Sequence, residues 1–236
     1  MAAAPGPDPS PAASEPPRDA DGLTDAQRSV RAQLLATEHW SLLASRSTTQ
    51  SEVLTRIAIF LTLVSAGLLA LGLLGNATQF RGWFGVAALG ILLLLALLGL
   101  ITQLRAFNTA TDDLMYVIAM NRLRGAYLDL DPGLERYLVS SANDDESGVG
   151  RTYYAFGRRR SQIFASSMMI ISVVEAAVIG LLAGGIVVAF GGDTIVAVVV
   201  GVVVALLSVV GWLAWGYRTY RQVLDTHRPL RRTPPA

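Results

Sequence analysis

The sequence predicts an all-α integral membrane protein: four transmembrane helices, arranged as two hairpins, with cytoplasmic helical extensions. Three observations carry this. The chain contains four apolar runs, each near the roughly 20 helical residues that cross a bilayer's hydrocarbon core. Of its 236 residues 52% are hydrophobic and only 16% charged, a balance that suits a membrane protein better than a soluble domain. All nineteen basic residues are arginine, and eighteen of them fall on one side of the apolar runs.

Residues 1–23, rich in Pro, Ala and Asp, lack the basic start and apolar core of a signal peptide. This composition buries too little apolar surface to offset ordering, so a disordered tail is expected. The unit 24–130 opens at Thr24, which forms a capping box with Gln27 and starts an amphipathic helix to about Glu52. His39 and Trp40 on that helix are expected to be packing residues. The first span is Ile57 to Leu74, about 27 Å long. After the brief link GNATQFRG, the second span runs from Trp83 to Leu104 and continues as a cytoplasmic helix to about Tyr127, since Phe107, Leu114, Val117, Ile118 and Leu123 recur at near-helical spacing. Asp131-Pro132 then breaks the chain.

The connector 131–162 is read as a short helix, Pro132 to Val139, an acidic loop SANDDESGVG, and an interfacial stretch. In that stretch Tyr153, Tyr154 and Phe156 precede Arg158, Arg159 and Arg160, rings and cations suited to lipid headgroups rather than to nucleic acid. The second hairpin, 163–217, holds a third span from Ile163 to Phe190 and a fourth from Thr194 to Trp215, joined by the tight FGGDT link. Trp212, Trp215, Tyr217 and Tyr220 form an aromatic girdle, and a basic tail fills 218–236. Arg81 alone lies in the short links, so the positive-inside rule puts both termini and the long middle segment in the cytoplasm. A plasma-membrane, multi-pass protein of a bacterium follows, the lysine-free composition suggesting a genome of high GC content.

Two features of the second hairpin stand out. Ala176, Gly180 and Gly184 on the third span, and Ala197, Gly201 and Ala205 on the fourth, repeat every four residues. Small residues at this spacing let membrane helices approach closely, either within one chain or between chains. Beside them lies Glu175, with no second ionisable residue at comparable depth and about 18 Å from its span's cytoplasmic end. An intramembrane acid is a functional candidate by default. A helical side chain points toward the N-terminus, which brings this carboxyl toward Ser172 and toward Ser65 on the first span as hydrogen-bond partners. Burial disfavours a charged carboxyl, so a neutral acid knitting helices is one reading and a proton- or cation-handling group the other.

The segment LLATEHWSLLASRS before the first span and Met120 to Leu128 (MNRLRGAYL) resemble uncharacterised actinobacterial four-span membrane proteins. The layout of Thr24 to Tyr127 is also similar to the SLATT-type two-span effectors of bacterial conflict systems, which implies pore formation; the second hairpin departs from that layout. Neither resemblance supplies a catalytic residue.

Cysteine is absent and histidine limited to His39 and His227, which excludes disulfides and thiolate or histidine-rich metal sites. No G-x-S-x-G, H-E-x-x-H or P-loop occurs. Asp112-Asp113 and Asp144-Asp145-Glu146 are expected only to solubilise their segments. No enzyme, cofactor or metal is therefore expected. The function expected is an oligomeric membrane scaffold or interaction protein, self-associating in the bilayer with a possible cytoplasmic protein partner. The alternative is an oligomeric ion channel or pore-forming effector with Glu175 in the conduction or proton path.

Overall fold

The computed structural model describes residues 22–157 and 166–234. Almost all of the proposed N-terminal tail, the Arg158, Arg159 and Arg160 triplet and the first residues of the third span lie outside the described residues. Five α-helices appear among those described: α1 (Asp25–Thr78), α2 (Phe84–Leu130), α3 (Glu146–Tyr153), α4 (Ser167–Ala189) and α5 (Thr194–Thr226), with a 3-10 helix (Pro132–Tyr137) between α2 and α3. Four of them, α1, α2, α4 and α5, are long and apolar enough to cross a membrane. The fold is all-helical, and the chain is a multi-pass membrane protein.

Four of the five α-helices begin where a side chain satisfies free backbone donors, while α2 starts after Trp83 without a side-chain cap. The Thr24 hydroxyl accepts from the Gln27 N–H at 3.3 Å and the Gln27 amide oxygen accepts from the Thr24 N–H at 2.9 Å. Asp145 caps α3, Ser166 caps α4 and Asp193 caps α5, each through its side-chain oxygen. The α4–α5 link turns at Gly191, whose φ of 79° is a conformation that side chains rarely tolerate.

The amphipathic helix and the first span are not separate elements. With no glycine or proline between Glu52 and Ile57, α1 runs unbroken for 54 residues, about 80 Å. Its inward positions, Leu35, His39, Leu42, Arg46, Thr49, Val53, Ile57, Phe60 and Val64, advance in steps of three and four along α2. A further helix, α3, occupies the end of the segment expected to be an acidic loop, because Asp145 accepts from the Gly148 N–H at 2.8 Å and so nucleates it. The helix expected over Pro132–Val139 is the shorter 3-10 turn. The segment expected as a basic tail is half helix, since α5 continues to Thr226.

The long helices pack as two hairpins, α1 on α2 and α4 on α5, and the hairpins meet where α4 lies along α2. Two cores result. One lies among the spans and joins Ile57, Phe60 and Val64 to Leu95, Ala96, Ile171 and Val178. The other, of Leu114, Val117, Ile118, Met120 and Val149, lies in the stalk that α1, α2 and α5 form beyond the spans with α3. Outward-facing leucines and valines, such as Leu94, Leu97, Val199 and Leu207, cover the spans with the apolar surface a bilayer requires. His39 stacks on the Tyr127 ring at 5.9 Å, but Trp40 is 71% exposed and packs in neither core. The two residues are consecutive, so they point about 100° apart around the helix.

Candidate functional site

Glu175 sits on α4 where it faces the α1–α2 hairpin. It is fully buried, and neither carboxyl oxygen has a hydrogen-bond partner. Its surroundings explain the depth of burial. A methyl group on Gly99 of α2 would overlap both the Glu175 carboxyl and the Phe60 ring, so the carboxyl fills the notch that the missing side chain leaves.

The partners expected from sequence are engaged elsewhere. Ser65 is exposed, and its hydroxyl donates to the Leu61 carbonyl at 2.9 Å. Ser172 is buried one turn before Glu175, but its hydroxyl donates to the Met168 carbonyl at 2.8 Å and accepts from Gln103 Nε2 at 2.6 Å. Both are corrections with one cause: a serine in a helix satisfies its hydroxyl on the carbonyl four residues back.

Gln103 was not expected, although it stands four residues after Gly99 on the same face of α2. It is fully buried, and its amide oxygen has no partner. The orientation of the amide is fixed by Ser172, whose only hydrogen is committed to Met168. Gly99 and Gln103 on one helix therefore oppose Glu175 and Ser172 on the other. Three orphaned atoms result, Gln103 Oε1, Glu175 Oε1 and Glu175 Oε2, and all three are acceptors.

The small residues meet within the chain. A methyl on Gly180 would lie 2.6 Å from the Gly201 carbonyl oxygen and 3.0 Å from the Ala205 Cβ, and one on Gly184 would lie 2.9 Å from the Ala197 carbonyl oxygen. Ala176, Ala197 and Gly201 are buried in the same hairpin. On the stalk side of Ser172 a cavity of about 270 Å³ opens between α2, α4 and α5, lined by Phe107, Thr111, Ser172, Tyr217 and Tyr220 among others. There Phe107 stacks on Trp212 and meets Trp215 at a tilt of 45°.

The acidic pairs of the stalk do more than solubilise it. Asp113 accepts from Arg46 Nε at 2.6 Å, Gln50 Nε2 at 2.7 Å and the Tyr153 hydroxyl at 2.7 Å, which ties α1, α2 and α3 together. Burial pushes its carboxyl up, but Arg46, Tyr153 and Gln50 outweigh that and hold it below the ordinary carboxylate range. Burial and the nearby Asp113 charge push the Tyr153 phenol up.

Asp144 is fully buried and gathers Arg122 Nε at 2.6 Å and the backbone N–H groups of Leu230 and Arg231 at 3.1 and 2.8 Å. Its carbonyl oxygen lies 2.9 Å from His227 Nε2, and because a carbonyl only accepts, that nitrogen carries a proton. Asp145 accepts from the Thr233 N–H and hydroxyl, both at 2.8 Å. Burial raises both carboxyls, yet the bonds from Arg122 and the tail to Asp144, and from Thr233 and Gly148 to Asp145, bring each below its ordinary value. The segment after α5 is thus strapped to the connector by two carboxylates.

Among the described residues no group of three or more histidine, aspartate or glutamate side chains is placed to hold a metal ion. The arrangement offers a buried, uncompensated acid between two hairpins, and a stalk held by charge. Comparison of the chain with protein-family models, curated proteins and solved structures gives no match.

Proposed function

We propose that this chain is a non-enzymatic scaffold or interaction protein of a bacterial plasma membrane, self-associating and presenting its stalk to the cytoplasm. One observation carries the reading: the stalk half of α1 leaves Leu34 and Trp40 67% and 71% exposed. Trp40 lies seventeen residues before Ile57, about 25 Å along the helix, and so well beyond headgroup depth. An aromatic ring at that distance cannot anchor the bilayer, and exposed rings of this kind suit a protein interface. The eighteen-to-one arginine distribution supports a cytoplasmic stalk. The inward-facing carboxyl of Glu175, enclosed by helices of its own chain, gives less support to a channel whose path runs between subunits.

The natural absence of cysteine makes the test direct. Single cysteines at Trp40 and Leu34 should cross-link between copies in native membranes, while one at Leu42, turned toward α2, should not. Cysteines at Asn76 and Asp193 should label from outside intact cells, and those at Ser147 and Thr226 should stay protected. Labelling of Ser147→Cys from outside would reverse the orientation. A monomeric mass in mild detergent, with no cross-link at either apolar position, would end the self-associating reading.

A further inference from the structure

We infer that Glu175, with Gln103 and Ser172, forms a proton-binding site at the contact between the two hairpins, loaded and unloaded from the stalk side. The argument begins with the surplus of acceptors. Gln103 Oε1 and both oxygens of Glu175 are buried without a donor, while Gln103 Nε2 gives one of its two hydrogens to Ser172 at 2.6 Å and the Ser172 hydroxyl gives its only one to Met168 at 2.8 Å. Unpaired acceptors in an apolar interior are costly, and several together call for a positively charged or donating occupant.

Among the described residues no side chain supplies it. The spans hold no other ionisable residue on α1 from Ile57 to Gly75, on α2 from Phe84 to Leu104, on α4, or on α5 from Thr194 to Gly216. Among the described residues Arg56, Arg105 and Glu52, at the stalk-side ends of the first hairpin's spans, are engaged with one another at 3.0 and 3.1 Å. The carboxyl fills the Gly99 notch so closely that a methyl there would overlap it, so the occupant that needs least space is a proton. Carried by Glu175, a proton would let the carboxyl donate toward Gln103 Oε1, which stands one turn along α2 from the Gly99 notch.

Access is one-sided by distance. Glu175 is eight residues from the stalk-side start of α4, about 12 Å, and fourteen from its other end, about 21 Å. The cavity that reaches Ser172 lies on the nearer side. Loss of the proton would leave an uncompensated anion between α2 and α4, the contact that joins the hairpins. The site therefore couples hairpin packing to acidity on the stalk side.

The test uses the full chain in lipid nanodiscs, labelled with ¹³C-glutamate, and difference infrared spectroscopy of the protonated carboxyl stretch. Wild type should show at neutral pH a band that is absent from Glu175→Gln. The band should disappear as pH is raised, together with a change in cross-linking between cysteines at Ala96 and Ala176. In Gln103→Leu the band should move to higher frequency, because the carboxyl loses its acceptor. That variant keeps the test alive should Glu175→Gln fail to fold. In oriented proteoliposomes only a pH change on the stalk side should act on the band. Absence of the band from wild type, an unmoved band in Gln103→Leu, or a response to sodium at constant pH would each overturn the proposal.

Discussion

Between α4 and α5, Gly180, Gly184 and Gly201 bring backbone against backbone, and the contact depends on side chains that are missing. At the other end of the molecule Asp113 and Asp144 each gather three or more donors from different parts of the chain. The two regions solve the same problem under opposite conditions. Lipid is as apolar as the helix surface, so spans gain little from hiding leucine and associate through close fit. In the stalk water competes for every polar group, so specificity comes from ion pairs and backbone donors enclosed together, as at fully buried Asp144. Glu175 is the exception that joins the regimes, an acid placed where the first rule holds.

Acid should separate the two regions most sharply. Asp113, Asp144 and Asp145 are all held below their ordinary values. Their contribution is complete above the unfolded value of about 4 and is lost as pH falls through the lowered folded values. Hydrogen exchange followed from neutral pH into acid should show the stalk and the strap at 227–233 opening first, with α4 and α5 still protected. Simultaneous loss of protection in both regions would mean that the stalk is not held by its carboxylates.

Next in size is the removal of one hub. Asp144→Ala leaves Arg122 and two backbone donors without their acceptor, and breaking a buried pair of this kind costs about 3–5 kcal/mol. Arg122 is partly exposed, so water recovers some of this, and the expected loss lies at the lower end. Proteolysis after α5 should rise steeply while the melting of the spans stays near wild type. A resistant C-terminus in this variant would show that the strap is held by other contacts.

The smallest effect, and the one confined to the spans, comes from filling the glycine contact. Gly180→Leu forces carbon against the Gly201 carbonyl, and overpacking of this kind costs about 1–3 kcal/mol. Thermal stability in detergent should fall, and the Asp144 strap should stay closed by the same proteolysis assay. Unchanged stability would mean that α4 and α5 can separate at this point without cost.

Local patterns were enough to derive the four spans, the Thr24–Gln27 capping box, the Asp131-Pro132 break and the start of α5 at Asp193–Thr194. Each depends on residues within a few positions of one another, where helix geometry and bilayer thickness leave few options. The continuity of α1 was legible in principle too, since nothing between Glu52 and Ile57 stops a helix. What neither composition nor periodicity could decide is which side chains face each other. Asp144 and Asp145 read as solvated acids because their partners, Leu230, Arg231 and Thr233, lie 86 to 88 residues away. Gln103 drew no reading of its own inside the second span because Ser172, its acceptor, is 69 residues distant. Ser172 and Ser65 read as partners for Glu175 because a helical side chain leans toward its N-terminus, whereas the rotation of α4 against α2 turned the carboxyl to Gly99. Helix rotation and register are set by the fit of whole faces, summed over many weak contacts, and that sum exists only once the helices are packed.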